Sequence, residues 1–378
     1  LDARYEVGAY HGDAVMGYIG KGATPTQIKA TAGDEYYFGW RTQNGQFRQH
    51  QRVETGGVGV FDFDSALSQN DPVRLVGASR MRRIDFATTA PYLQGSWNFN
   101  GCPILEELVA PVTKGSATQW YPLLSKITGL KRIDLTGQVG ITGTEDEQAR
   151  TFDVSSHPGL QELLLSGTAV RAVRIAEGAP ITRLDLPTTL SYLRLRALPK
   201  LTESGLQLAD WSSVRSLELA ACPQLSWRTL VDKCTSLEAL RVEGVDMVDD
   251  GKLLARLMRV RGLAANGSGV ATCSLVGRCQ LTTYIDDELL KRYQEHFPEL
   301  DILQPPYTVI EFDEPVDYPA NISNLDNRTG YKYGNKYEVS GHIGAILKAR
   351  HACLGKQATK GVMHICKLHD YDLRRYAD

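Results

Sequence analysis

The side chains best suited to chemistry crowd towards the end of the chain, at His351, Cys353, His364, Cys366 and His369. Zinc needs four such ligands held tetrahedrally, and structural sites bring them in close pairs. Here His364 and Cys366 are separated by one residue and Cys353 lies thirteen before Cys366, a spacing that fits no zinc framework. Packed or solvated side chains are therefore expected, and no metal is assigned. A Cys–His nucleophile pair needs a third group to orient the histidine, and the neighbouring residues supply none. A hydrolytic site using His351, Cys366 or His369 is kept only as an alternative to a non-catalytic chain. Phe61-Asp62-Phe63-Asp64 puts two carboxylates on one strand face but lacks the further oxygen ligands of a calcium loop, so a solvated face is expected. No glycine-rich stretch, Gly355-Lys356 included, has phosphate-loop spacing, and no cofactor is expected.

A second set of charges is ordered by a recurring phrase. It reads Met81-Arg-Arg-Ile84-Asp-Phe86, Leu130-Lys-Arg-Ile133-Asp-Leu135, Leu160-Gln-Glu-Leu163-Leu-Leu165 and Ile181-Thr-Arg-Leu184-Asp-Leu186. Further copies start at Leu190, Val214 and Leu237, with a looser one at Leu105. The pattern is L-x-x-L-x-L, and most starts lie 21 to 30 residues apart. Ile181 and Leu190 alone are too close, doubling the strand signal within one turn. On a short strand the first, fourth and sixth positions point inward and those between point out. One copy cannot bury its apolar side, whereas stacked copies bury a continuous core.

That alternation turns Arg83, Arg132 and Arg183 into one outward column and Asp85, Asp134 and Asp185 into another. With Tyr192, Arg194, Glu218 and Arg241 they are expected to line one concave face, a surface on which proteins could bind. The competing reading is a cross-strand ion-pair ladder that satisfies itself, each pair contributing about 0.2 to 1 kcal/mol. The second is favoured, and the two are compatible.

The phrase resembles the leucine-rich-repeat family over a little under half of the chain. The resemblance implies an α/β solenoid of parallel strands with helical or irregular return segments. The chain departs from that family in lacking a regular asparagine after the strand, with Gly, Ala or Pro near that place. No asparagine ladder is expected, and turn lengths should vary.

Around the repeats the texture changes. Residues 1–74 alternate apolar and polar residues between glycines and read as a β-rich module. The repeat span covers 75–303, with return segments predicted as helices at Trp120–Leu124 and Trp227–Val231 and an acidic excursion from Thr136 to Val154. Helices are expected over Leu253–Met258 and from about Asp286 to His296, with strands through Cys273–Leu275 and Leu300–Ile302. Residues 304–378 form a small α+β module: strands at Tyr307–Phe312 and Val362–Ile365, a loop from Asn324 to Asn335 and a helix from His342 to Arg350.

At 378 residues with 42% hydrophobic content, the chain is too long for one compact domain. A net charge of −2 gives no electrostatic footprint for nucleic acid. No run approaches the roughly 20 apolar residues of a membrane span, so no membrane insertion is expected. Seven scattered cysteines do not make a disulfide framework. The abrupt ends at Leu1 and Asp378 read as those of a piece of a longer protein.

Near the C-terminus, Asp287-Glu-Leu-Leu-Lys-Arg-Tyr, Phe297-Pro-Glu-Leu-Asp-Ile302, Ser340-Gly-His-Ile343 and Leu368-His-Asp370 form a second resemblance. They are similar to phrases after the repeats in leucine-rich-repeat proteins of Bacteroides and of their phages and mobile elements. This implies a non-catalytic, tail-associated virion protein, homo-oligomeric within an assembly, whose partners are other virion subunits or a host surface receptor. The alternative is a bacterial cell-surface adhesin for host protein or glycan.

Overall fold

The computed structural model of the protein describes residues 14–20, 26–42, 47–63, 72–113, 119–145, 149–263, 272–283 and 285–304, and four further strands within 307–368. They form a mixed α/β structure made mostly of strands, with parallel sheets and few helices. The chain divides into two compact units, one of residues 1–242 and 261–268, the other of 243–260 and 269–378.

In the first unit the N-terminal strands are β1 (Ala14–Ile19), β2 (Thr26–Thr31), β3 (Tyr36–Thr42), β4 (Phe47–Val53), β5 (Val58–Phe63) and β6 (Val73–Val76). Their alternation buries Phe38, Trp40, Phe61 and Phe63 on one side. Phe38 meets Phe61 edge to face, with centroids 4.5 Å apart. The Trp40 indole donates to the Asp62 carbonyl at 2.9 Å, so the buried ring keeps a polar partner.

The recurring phrase then opens a series of strand pairs. These are β7 (Arg83–Asp85) and β8 (Leu93–Asn98), β9 (Glu107–Val109) and β10 (Trp120–Leu123), β11 (Arg132–Asp134) and β12 (Thr151–Val154), and β13 (Glu162–Leu164) and β14 (Ala172–Ile175). They continue as β15 (Arg183–Leu186) and β16 (Tyr192–Arg196), then β17 (Leu206–Leu208) and β18 (Ser216–Ala220). The first members stand side by side in the order β17-β15-β13-β11-β9-β7, all parallel, and β2 and β5 extend that sheet antiparallel. Among the second members, β12, β14, β16 and β18 form another parallel sheet, which β19 (Ala239–Asp249) joins along Ala239–Val242. β8 and β10 pair in parallel in a third sheet with β1, β6, β3 and β4. Strand pairing therefore crosses residue 74 in two sheets.

This arrangement explains the crowded copies. Ile181 and Leu190 both precede strands, and the strands belong to different sheets. Trp120–Leu123, predicted helical, is β10: Trp120 and Pro122 are buried while Tyr121 and Leu123 are less so, which is a period of two. The acidic excursion ends in β12, whose Phe152 and Val154 are fully buried. The return segment near Trp227 is helical as expected, as α1 (Trp227–Lys233), capped by the Ser226 hydroxyl accepting from the Thr229 N–H, and those at Ala87–Tyr92 and Trp211–Ser213 are short 3-10 turns.

The corners between paired strands leave carbonyls that must be satisfied. In place of an asparagine, the ninth position of several copies carries another side chain that bonds to backbone. Thr89 donates to the Gln27 carbonyl at 2.9 Å, Thr168 to Leu165 at 2.8 Å, and the Cys222 thiol faces the Ala220 carbonyl at 3.3 Å. Gln138 is fully buried: its amide donates to the Ala90 and Ala110 carbonyls at 3.0 and 2.8 Å, and its oxygen accepts from the Trp120 indole at 3.0 Å. Just before it, Gly137 has φ +75, and a Cβ there would lie 1.8 Å from the Val112 carbonyl oxygen.

In the second unit, α2 (Lys252–Leu257) is capped by the buried Asp249 carboxylate, which accepts from the Leu253 and Leu254 N–H groups at 3.4 and 3.2 Å. β20 (Thr272–Leu281) pairs in parallel with β21 (Leu300–Leu303), and α3 (Asp287–His296) lies between them in sequence. Asp286 caps α3 by accepting from the Leu289 N–H at 2.7 Å, with Asp287 and Glu288 in the positive first turn. The last strands, β22 (Tyr307–Phe312), β23 (Tyr331–Tyr333), β24 (Lys336–Ser340) and β25 (Met363–Leu368), form an antiparallel sheet in the order β23-β24-β22-β25. β23 falls inside the segment expected to be a loop, and the helix expected at 342–350 lies outside the described residues.

Replacing Gln138 by Leu strands two buried carbonyls and an indole N–H at comparable volume. The expected cost is about 3 kcal/mol of unfolding free energy, read as a lower urea midpoint. A midpoint equal to that of the wild type would refute the corner role.

Candidate functional site

Parallel strands in register stack equivalent motif positions about 4.8 Å apart. In the first sheet the third motif position reads Arg83, Glu107, Arg132, Glu162, Arg183 from strand to strand. Two residues on, the row is Asp85, Val109, Asp134, Leu164, Asp185, Gln207. Each arginine bonds the aspartate of its own strand: Arg83 to Asp85 at 3.1 Å, Arg132 to Asp134 at 3.2 Å, Arg183 to Asp185 at 2.9 Å. Two of them also reach the glutamate of the next strand, Arg83 to Glu107 and Arg132 to Glu162, the latter at 3.4 Å. Arg183 has no such second carboxylate among the described residues.

Glu107 and Glu162 were missed as members of the row, although the sequence signals both. They occupy the third position in the copies starting at Leu105 and Leu160. One residue before the row, Glu106 sits between Lys131 at 3.0 Å and Arg82 at 2.9 Å. The Lys131 hydrogen bond, with help from Arg82 and against some desolvation, holds the Glu106 carboxyl below the usual carboxylate range.

Tyr192, Arg194, Glu218 and Arg241 do not share this face, contrary to the sequence expectation. They stand on β16, β18 and β19 in the second sheet, because the phrase changes sheets between Ile181 and Leu190. There Glu218 is the hub. It accepts from the Tyr192 hydroxyl at 3.3 Å, Arg194 Nε at 3.2 Å and Arg196 Nη1 at 2.9 Å. Glu177 faces Arg194 and Arg196 from the other side, at 3.7 and 3.3 Å. Tyr192 stays 38% exposed, and desolvation followed by the Glu218 charge raises its hydroxyl above the ordinary tyrosine value. Its register neighbours Ala172 and Ser216 are small, so the ring stands above its row.

Two depressions accompany these faces. One of about 610 Å³ lies along β15 and β17, lined by Arg183, Asp185, Gln207 and several hydroxyls. The other, about 440 Å³, lies beside β12 against Asp153 and Arg174, which pair at 3.3 Å.

The remaining candidates divide by what is described. Asp62 is taken up by Gln27, whose amide donates to it at 2.7 Å, while Asp64 lies outside the described residues. His351, Cys353 and His369 also lie outside them, and His364 and Cys366 fall in β25, of which only the backbone is described. Among the described residues no group of three His, Cys, Asp or Glu could hold a metal ion, and no helix is long and apolar enough to cross a membrane. No family model matches the sequence, and no curated protein or solved structure matches it.

The ladder makes two measurements decisive. Arg132→Met leaves the buried Asp134 and the half-buried Glu162 without their shared cation and should cost about 2 kcal/mol, whereas Arg183→Met should cost less than half of that. Equal urea midpoints for the two variants would contradict the ladder. For Glu106 the folded-state pKa is depressed, so its contribution is present above the usual carboxylate range and is lost as pH falls through the folded value. The destabilisation by Lys131→Met should accordingly be larger at pH 7 than at pH 3, and a pH-independent difference would contradict the pairing.

Proposed function

We propose that the chain is a non-catalytic structural and recognition component of a phage particle, tail-associated and present in several copies. In this reading the paired strands form a leucine-rich-repeat solenoid, flanked by the β-rich N-terminal strands and a C-terminal module. The carrying observation is the register: two parallel series of strands hold outward rows of side chains at fixed spacing, and such preorganised surfaces bind without ordering costs. The first row neutralises itself from Arg83 to Glu162, which suits a rigid wall, while the exposed Tyr192 beside Glu218 and Arg194 has the aromatic and arginine chemistry of interface anchors. The particle assignment draws on the resemblance of the C-terminal phrases to proteins of Bacteroides phages and mobile elements.

The test is mass spectrometry of density-purified particles, with peptides mapped along the chain. Peptides that co-purify with intact particles at constant stoichiometry are the expected outcome. Recovery in the cell-envelope fraction, with none in particles, would sink the reading in favour of a cell-surface adhesin.

A further inference from the structure

The charge ladder has an interruption, and the interruption coincides with a cavity. Going from β7 to β15, every arginine of the row except the last has a glutamate on the following strand. After Arg183 the register brings Gly205, since Leu184 pairs with Leu206 and the Leu184 N–H donates to the Gly205 carbonyl at 2.8 Å. No side chain can be placed there. A Cβ at position 205 would lie 2.1 Å from the Thr182 carbonyl oxygen. Where a carboxylate would continue the row there is instead a depression of about 610 Å³. The Arg183 side chain is correspondingly more open, 54% exposed against 35% for Arg83 and 37% for Arg132.

The lining says what kind of carboxylate suits the gap. Around Arg183 the wall carries the Asp185 carboxylate that takes one edge of its guanidinium, the hydroxyls of Ser166, Thr182, Thr202 and Ser204, and the amide of Gln207. The Thr202 and Ser204 hydroxyls lie 3.0 Å apart, and the Gln207 amide donates to the Ser204 carbonyl at 2.6 Å, which holds the groups in place. A lone acidic side chain from a protein would meet the open edge of the guanidinium and leave these hydroxyls idle. A sugar acid brings both a carboxylate for Arg183 and ring hydroxyls for the wall, and the volume falls within the range of small-ligand sites. The geometry points to a binding site for a carboxylate-bearing saccharide unit between β15 and β17, with Arg183 as the carboxylate clamp. This deepens the recognition role proposed above and rests on it for its biological sense.

Calorimetric titration of the full chain with trigalacturonate, glucuronate and N-acetylneuraminate tests the site, with maltotriose as neutral control and hexaglutamate as acidic peptide control. At least one of the three acids should bind, at least tenfold more tightly than either control. Arg183→Gln should weaken that binding roughly tenfold or more. Gln207→Glu should do the same by supplying the missing carboxylate from within, while keeping Arg183 and an unchanged thermal midpoint. Arg83→Gln, within the closed part of the ladder, should bind as the wild type does. Binding of none of the acids, equal binding of maltotriose or hexaglutamate, or undiminished binding by Arg183→Gln would overturn the site. If the acids fail to bind while the protein still co-purifies with particles, the saccharide site falls and the particle role stands. Saccharide binding by a protein absent from particles gives the reverse.

Discussion

Everything in the first unit depends on keeping short parallel strands in register, and register here is fixed at the corners. Strands of three to five residues have few ladder hydrogen bonds of their own, so a slip costs little unless something else resists it. The resistance comes from side chains that reach into the turn and close its carbonyls. Gln138 bonds backbone on two preceding segments and the Trp120 indole at once, tying three stretches of chain at a point with no access to water. A shift by one residue would break all three bonds and turn Ile133 and Leu135 towards solvent.

The outward rows follow from that register and inherit its regularity. A column of like charges stacked about 4.8 Å apart would repel at every step, and the copies avoid this by alternating sign along the sheet. Pairing each arginine with an aspartate on its own strand adds a second constraint that aims the guanidinium along the sheet. Arg132 is thus held from two directions, and Asp134 can be nearly buried without an orphaned charge. On the second sheet the same economy takes another form, with one carboxylate, Glu218, serving a tyrosine and two arginines.

The inward half of this structure was legible in the sequence because L-x-x-L-x-L states directly which residues are buried. Leu130, Ile133, Leu135, Leu160, Leu163 and Leu165 are all fully buried. The helices α2 and α3 were equally plain from their spacing and from Asp286 at the start of the second. What the sequence left hidden was the second strand of the earlier pairs, and in the last pair the first, β17. β12 and β14 are too short and too polar outside to announce themselves, and their inward residues Phe152, Val154 and Val173 make only two-residue alternations. For the same reason the candidate site was read as one face when it spans two. Position along the phrase tells which way a side chain points, but not which sheet it points from.

The two strands that begin at Arg183 and Tyr192 lie nine residues apart and carry the same phrase in the same phase. Loss of the segment 181–189 would therefore splice Leu190 into the place of Ile181 with its inward residues still inward. Tyr192 would then occupy the position of Arg183 and Arg194 that of Asp185, exchanging an ion-paired face for an aromatic and basic one in a single event. Insertion of 21 residues, the offset between Glu162 and Arg183, would instead lengthen both faces and leave their rows aligned. The nine-residue loss keeps the phase of the buried positions but takes a strand from one of the two sheets, whereas the 21-residue insertion keeps both sheets whole.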